Sequence, residues 1–249
     1  MIEKNRKFMQ CPSFKEGMAE SDQSKGVKAP PIGKEITGEV TVLADFGGGI
    51  CEDSYTKLLD IRRSVRKYAD APMSQSQLAF MLWSVQGIQD YRGDVATLRP
   101  VPSGGARHPF ETYIAVKNVD GLKPGLYHYL PAQDIGEKKC TVQRLGDEIG
   151  DERITAMLAG QAWAAKAPVV LFYSCIPYKA EWRYVDMAHR VALIDLGHAG
   201  QNAMLSAAAL GLGSCCIAAY DQKLCDEALG LDGLDEYTVY AISVGTPAE

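Results

Sequence analysis

The stretch 186–212 constrains the fold most. Alanine, leucine, methionine and valine dominate it, over a length that could cross a bilayer. Arg190, Asp195, His198, Gln201 and Asn202 interrupt it, and each charged side chain at a membrane centre costs roughly 2.5–3.5 kcal/mol. A buried central helix accommodates both facts, because a helix that is apolar nearly all round belongs in a protein core. The rest of the chain must then supply layers to cover it. The run "APVVLFYSC" (167–175) is continuously apolar and of strand length, which predicts a central strand buried on both faces. "ETYIAV" (111–116) alternates and is β-branched, so it reads as a strand, with "GLYHYL" (125–130) its hairpin partner after the turn "DGLKPG".

Shorter elements surround these. Leu58, Leu59 and Ile61 mark a short helix after Ser54, and Ser74 is a suitable N-cap for a second helix over 75–88 that ends near Gly87. A polar loop is expected from there to Pro102. A strand near 215–219, a helix over 221–229 and a strand over 237–245 complete the chain. Helices and strands mixed with a hairpin predict an α+β fold rather than a regular series of parallel units. Residues 1–50, rich in lysine, glutamate, serine and glycine, are expected as an arm that is extended or ordered against a partner subunit. "FGGGI" (46–50) is the loop before the main domain, 51–249.

Composition excludes several functions. The formal charge is −5, which gives no global support for binding nucleic acid or an anionic membrane. Residues 1–20 are too charged for the apolar core of a signal peptide. The seven cysteines are odd in number and contain no Cys-x-x-Cys pair, which fits reduced thiols in a cytoplasmic protein. Asp195 and His198 have the spacing of a carboxylate-bridged metal ligand pair, but no second such pair exists, so no metal site is expected.

Against that acidic background, "RRSVRKY" (62–68) places four cations in seven residues. If a helical turn continued through it, Arg62 and Arg66 would point the same way with the Ser64 hydroxyl between them. Two guanidinium forks and a hydroxyl match a phosphate monoester. A second feature, "RPVPSGGARHPFETY" (99–113), brings the bare backbone of Gly104 and Gly105 to the surface just before a strand, where a flat ligand can approach closely. His108 is read as a loop histidine with satisfied hydrogen bonds. Asp195, His198 and Asn202 share one face of the long helix. "GLGS" after that helix fails the dinucleotide fingerprint, which must follow a strand. The vicinal Cys215 and Cys216 are read as small buried thiols.

Taken together, "RRSVRKY", "PSGGARHPFETY", "GLYHYLP", "HRVALIDLGHAGQNAMLSAAALGLGSC" and "LGLDGLDEYTVYAISVGTP" resemble the FMN-dependent nitroreductase family, and within it the SagB-type dehydrogenases, over residues 54–247. That resemblance implies a nitroreductase-like mixed sheet flanked by helices, dimerised through long central helices, with flavin bound at the interface. It implies that Arg62, Arg63, Ser64 and Arg66 contact the FMN phosphate and ribityl chain, that Pro102, Ser103, Gly104 and Gly105 lie along the isoalloxazine, and that Ile217, Ala218 and Ala219 offer amides to its N5 and O4 edge. Gln201 and Asn202 would reach the flavin or the partner chain. The implied activity is ping-pong hydride transfer from NADH or NADPH to a nitroaromatic or quinone, without nucleic acid or membrane. Alternatives are dehydrogenation of a modified peptide or specialised metabolite, and a flavin-binding module without turnover. Two departures from the family pattern matter. The chain lacks a basic residue near its C-terminus, leaving phosphate charge to the first cluster with help from Arg107. It also carries Arg183-Tyr184 where SagB-type azoline oxidases carry Lys-Tyr; lysine can be tuned to act as a base but arginine cannot. Tyr184 is the candidate proton donor.

Overall fold

The computed structural model describes residues 6, 8, 10, 18–46 and 49–248; Gly47 and Gly48 of the glycine loop, and most of the first 17 residues, lie outside this range. Its strands are β1 (Val40–Val42), β2 (Asp90–Arg92), β3 (Ala96–Leu98), β4 (Phe110–Val116), β5 (Gly125–Tyr129), β6 (Thr141–Gly146), β7 (Val169–Cys175), β8 (Gly213–Ile217) and β9 (Tyr237–Gly245). Its helices are α1 (Tyr55–Ile61), α2 (Gln75–Gln86), α3 (Asp151–Met157), α4 (Tyr178–Tyr184), α5 (Ala188–Ala209) and α6 (Gln222–Leu229).

The fully buried β7 lies near the middle of a seven-stranded sheet ordered β1-β6-β5-β4-β7-β9-β8, as its unbroken apolar run requires. The two faces of β7 divide the core by period-2 alternation. Leu171 and Tyr173 face α2 and α5 through Leu78, Leu82, Ala199 and Ala203. Val170 and Phe172 face α3 and α6 through Ile154, Met157, Cys225 and Leu229. The sheet is thus held between two helical layers, the α+β sandwich expected. It differs from the expected mixed sheet in that every ladder is antiparallel. Among the described residues, parallel pairing occurs only as isolated bridges, Ser64–Ser214 and Met73–Val119.

Local chemistry sets the element ends. Ser74 caps α2 through a full capping box with Gln77, and Gly87 ends the helix. The long helix is shorter than the apolar stretch: residues 185–187 form a 3₁₀ turn, and Val185 sits at φ 48°, a left-handed conformation costly for a β-branched residue. The loop expected before Pro102 contains the β2–β3 hairpin. Among the described residues, no helix is long and apolar enough to cross a membrane.

The described part of the N-terminal segment makes contacts with its own chain. β1 pairs with β6. Upstream, Gln23 N–H donates to the Trp182 carbonyl at 2.9 Å, Trp182 Nε1 donates to the Val27 carbonyl at 2.9 Å, and Tyr178 donates to Asp22 at 2.7 Å. Lys34 pairs with Glu236 at 2.5 Å.

Candidate functional site

The cationic stretch does not continue α1. Arg62 is the helix's C-cap, and the following residues run extended along β8. Val65 N–H donates to the Ser214 carbonyl at 2.9 Å, and the Tyr68 hydroxyl reaches the Val65 carbonyl at 2.9 Å and the Ser243 hydroxyl at 2.7 Å. Glycine is required opposite: a Cβ on Gly213 would lie 2.7 Å from Val65 Cβ. The segment therefore serves as a cover for the β8 edge, which would otherwise expose unpaired backbone groups.

The expected common aim of Arg62 and Arg66 is corrected by this extended path. Cys215 and Cys216, neighbours on β8, project to opposite faces. Burial raises the pKa of both thiols; Arg66 and then the Ser64 hydroxyl offset this at Cys215, whereas at Cys216 the Tyr240 hydroxyl offsets it first and Arg62 less. Arg66 lies over the Trp163 ring at 5.6 Å. Arg62 and Arg63 line a cavity of about 200 Å³ with Met204, Ala208 and Ser214. Ser64, Arg63 and Arg66 are exposed, and no carboxylate pairs with Arg62, Arg63 or Arg66 among the described residues.

The second stretch forms a tight loop ahead of β4. Gly105, Ala106 and His108 adopt φ of 58°, 52° and 43°, and two non-glycine residues in that region mark stored backbone strain. Asp195 of α5 fixes the loop: its carboxylate accepts from the Ser103 hydroxyl at 2.6 Å and from the Gly104 N–H at 3.0 Å. Burial raises the Asp195 pKa, and these bonds partly offset it. Ser103 Oγ in turn accepts from His108 N–H at 2.9 Å. His108 is buried, and burial, aided by Arg99, pushes its pKa down to about 3; it is the satisfied loop histidine expected, its Nε2 3.2 Å from the Thr97 carbonyl.

The glycines do allow close approach, but it is protein that approaches. A Cβ on Gly104 would lie 2.3 Å from Val191, and one on Gly105 would lie 2.6 Å from the Tyr184 hydroxyl and 2.7 Å from Arg183 Nε. Arg183 and Tyr184, at the C-terminus of α4, therefore stand directly over this loop, and Pro102 and Gly105 keep exposed surface beside them. Arg183 is steadied by Gln23, whose Oε1 accepts from it at 2.7 Å. Ile217 ends β8, and Ala218 and Ala219 leave the sheet exposed. The Ala219 carbonyl accepts from Gln161 at 2.9 Å.

Asn202 and Arg107 are engaged within this chain, while Gln201 faces outward. Asn202 donates to the Ser84 carbonyl at 2.6 Å, tying α5 to α2; Gln201 is exposed and His198 likewise points outward. Arg107 does not assist the cluster, because it is buried beneath Trp182, 4.8 Å from its ring, and donates to the Val95 carbonyl at 2.5 Å. Sequence spacing had grouped Asp195 with His198 and Asn202, but its bonds to Ser103 and Gly104 span some ninety residues and left no local signal.

Residues 59–246 match the model of the nitroreductase family. The chain belongs to the nitroreductase family. As a member it is an oxidoreductase, and its relatives divide between two named roles. It is 34% identical over 196 residues to a protein carrying a nitroreductase name, MJ1384 of Methanocaldococcus jannaschii, covering 78% of this chain and 92% of that one. It is 32% identical over 143 residues to the microcin B17-processing protein McbC of Escherichia coli, covering 54% of this chain but only 49% of McbC. Among solved structures, a nitroreductase chain from Anabaena variabilis superposes with a TM-score of 0.63 at 27% identity, covering 77% of this chain and 38% of that one. A nitroreductase from Desulfovibrio desulfuricans solved in complex with FMN shares the fold at a TM-score of 0.52 and 18% identity, covering 80% and 88%.

Proposed function

We propose that this nitroreductase-family enzyme is a cytoplasmic homodimer that binds FMN between the cationic segment and the Ser103–Gly105 loop and works with NADH or NADPH in a ping-pong cycle. The observation that carries the proposal is the cation cluster: among the described residues Arg62, Arg63 and Arg66 have no carboxylate partner, and two of them line an open cavity beside α5. Uncompensated guanidinium groups at a cavity suit a phosphate, which accepts bidentate, charge-assisted hydrogen bonds. Asp195 and the pair Met204–Ala208 lie on one helix, so at 1.5 Å per residue the loop and the cluster are roughly 14–20 Å apart along α5. That span suits an elongated ligand with an anionic tail and a flat head. The FMN-bound fold relative from D. desulfuricans supports the same choice.

When bound, FMN supplies two-electron transfer between a reduced nicotinamide and an electron-poor acceptor such as a nitroaromatic or quinone. The chain's part is to bind and orient. Arg62, Arg63, Ser64 and Arg66 hold the phosphate end. Pro102, Ser103, Gly104 and Gly105, fixed by Asp195, and the Ile217–Ala219 stretch, exposed at Ala218 and Ala219, bracket the ring end. To Tyr184, whose hydroxyl approaches Gly105, this reading assigns holding a proton at Oη. Leu193 and Ile194 of α5 remain 55% and 51% exposed, an apolar face suited to a second copy of the chain.

Absorbance and titration test this reading. The purified protein should carry or take up FMN and show its yellow absorbance, and NADH or NADPH should bleach it rapidly in stopped flow. Protein that stays colourless with added FMN removes the flavin site altogether. The similarity to McbC favours a second reading, dehydrogenation of a modified peptide; bound FMN bleached only by an organic donor, with no response to nicotinamides, would select it. FMN that neither donor reduces would mark a binding module.

A further inference from the structure

We propose, resting on the flavin site assigned above, that Arg183 selects a substrate whose ring carries a carboxylate, and grips that group where the substrate lies over Gly105. Gln23, from the N-terminal segment, is the residue that positions Arg183 for this.

Two elements meet at one glycine. Gly105 is exposed and adopts φ of 58°. A Cβ there would lie 2.6 Å from the Tyr184 hydroxyl and 2.7 Å from both Cδ and Nε of Arg183. The phenol and the guanidinium stem therefore flank the same bare stretch of backbone, and a molecule resting on its open side meets both. Arg183 is half-buried, so it keeps surface of its own at this place.

Among the described residues, no carboxylate forms an ion pair with Arg183. Its Nη1 donates instead to Gln23 Oε1 at 2.7 Å, and Gln23 N–H is anchored on the Trp182 carbonyl at 2.9 Å. A neutral amide fixes where the guanidinium group lies and leaves its charge in place. The loop's own carboxylate, Asp195, is occupied by Ser103 and Gly104. Arg107 adds a second cation to this corner: burial, and next the charge of Arg183, hold its pKa below the usual range. A planar fork of donors matches a carboxylate, which accepts charge-assisted hydrogen bonds in pairs. Arginine keeps its proton in a protein, so Arg183 binds and orients and moves no proton. The FMN phosphate belongs to Arg62, Arg63 and Arg66 in this reading, which leaves the substrate carboxylate and the diphosphate of the reduced nicotinamide as the anions that reach Gly105.

Binding of benzoate and of its neutral isostere benzamide to the FMN-loaded, full-length protein decides, followed by calorimetry and by the flavin absorbance. Benzoate should bind about tenfold more tightly or better, and Arg183→Gln should bring the two affinities level. Gln23→Glu, which sets a carboxylate on the guanidinium group while Arg183 stays in place, should also level them, a result that a merely structural role for either residue would not give. The ratio of kcat/KM for para-nitrobenzoate over para-nitrobenzamide should follow the same order. Should Arg183→Gln not fold, the unaltered protein and Gln23→Glu suffice. Equal affinities in the unaltered, FMN-loaded protein overturn the inference and leave the flavin site standing, whereas protein that takes up no FMN removes both. A preference for benzoate that survives the substitutions assigns another cation and overturns it. Weaker binding of reduced nicotinamide to Arg183→Gln, with the benzoate ratio unmoved, assigns the diphosphate and overturns it equally.

Discussion

The carboxylate of Asp195 accepts from both the Ser103 hydroxyl, at 2.6 Å, and the Gly104 amide, at 3.0 Å, and so joins the middle of the long helix to the loop ahead of β4. Asp195→Ala leaves a part-buried amide and hydroxyl without their acceptor. We expect a loss of roughly 2–4 kcal/mol in urea unfolding and weaker FMN uptake. Asp195→Asn, which keeps one acceptor, should lose less on both counts; equal losses for the two variants would reject the hydrogen-bonding role.

Arg62→Ala combined with Arg66→Ala should weaken FMN binding by about 3 kcal/mol or more, above a hundredfold, since each charged hydrogen bond contributes roughly 1.5–3 kcal/mol. Neither side chain anchors the core, so far-ultraviolet circular dichroism should stay unchanged. An unaltered FMN dissociation constant would sink the assignment.

A Cβ at position 213 collides with Val65 at 2.7 Å. Gly213→Ala should therefore cost about 1–3 kcal/mol and displace the cationic segment, lowering FMN affinity as well. Adding Val65→Ala opens the space and should restore much of both. A double-mutant cycle with no coupling would show that the two residues do not meet.

His108 supplies a pH dependence with a definite sign. Its folded pKa, about 3, lies below the unfolded value near 6.5, so the unfolded chain binds the extra proton between those values. Stability from this group is full above about pH 6.5 and is lost as pH falls toward 3, at up to about 1.4 kcal/mol per pH unit. His108→Asn keeps a residue that tolerates φ of 43° while removing the titration. Urea unfolding at pH 7, 5.5 and 4.5 should show a shallower slope for the variant.

Where the determinants were local, the fold was legible in advance. Ser74 and Gly87 bounded α2 through capping chemistry, and the apolar run around Val170 and Phe172 marked a strand buried on both faces. Leu58 and Ile61 placed α1, but nothing nearby announced that the chain would straighten at Arg62, because that path depends on Ser214 and Gly213, some 150 residues away. The short strands Val40–Val42, Ala96–Leu98 and Thr141–Gly146 were hidden in polar surroundings, where pairing rather than hydrophobic pattern defines them. In the candidate site, the cations and glycines were visible from their clustering. The covering of Gly105 by Arg183 and Tyr184 was not, since it arises from the packing of α4 against α5.

Lys34 closes an ion pair with Glu236, and Gln23 bonds to Trp182. During synthesis, which delivers the amino end first, neither partner exists when the early segment leaves the ribosome. The Lys34 contact must therefore wait until Glu236 has emerged, after the β1–β6 pairing and the Trp182 contact can already form. Tags, fusions or stalled translation should therefore disturb the last step of maturation rather than the assembly of the central sheet.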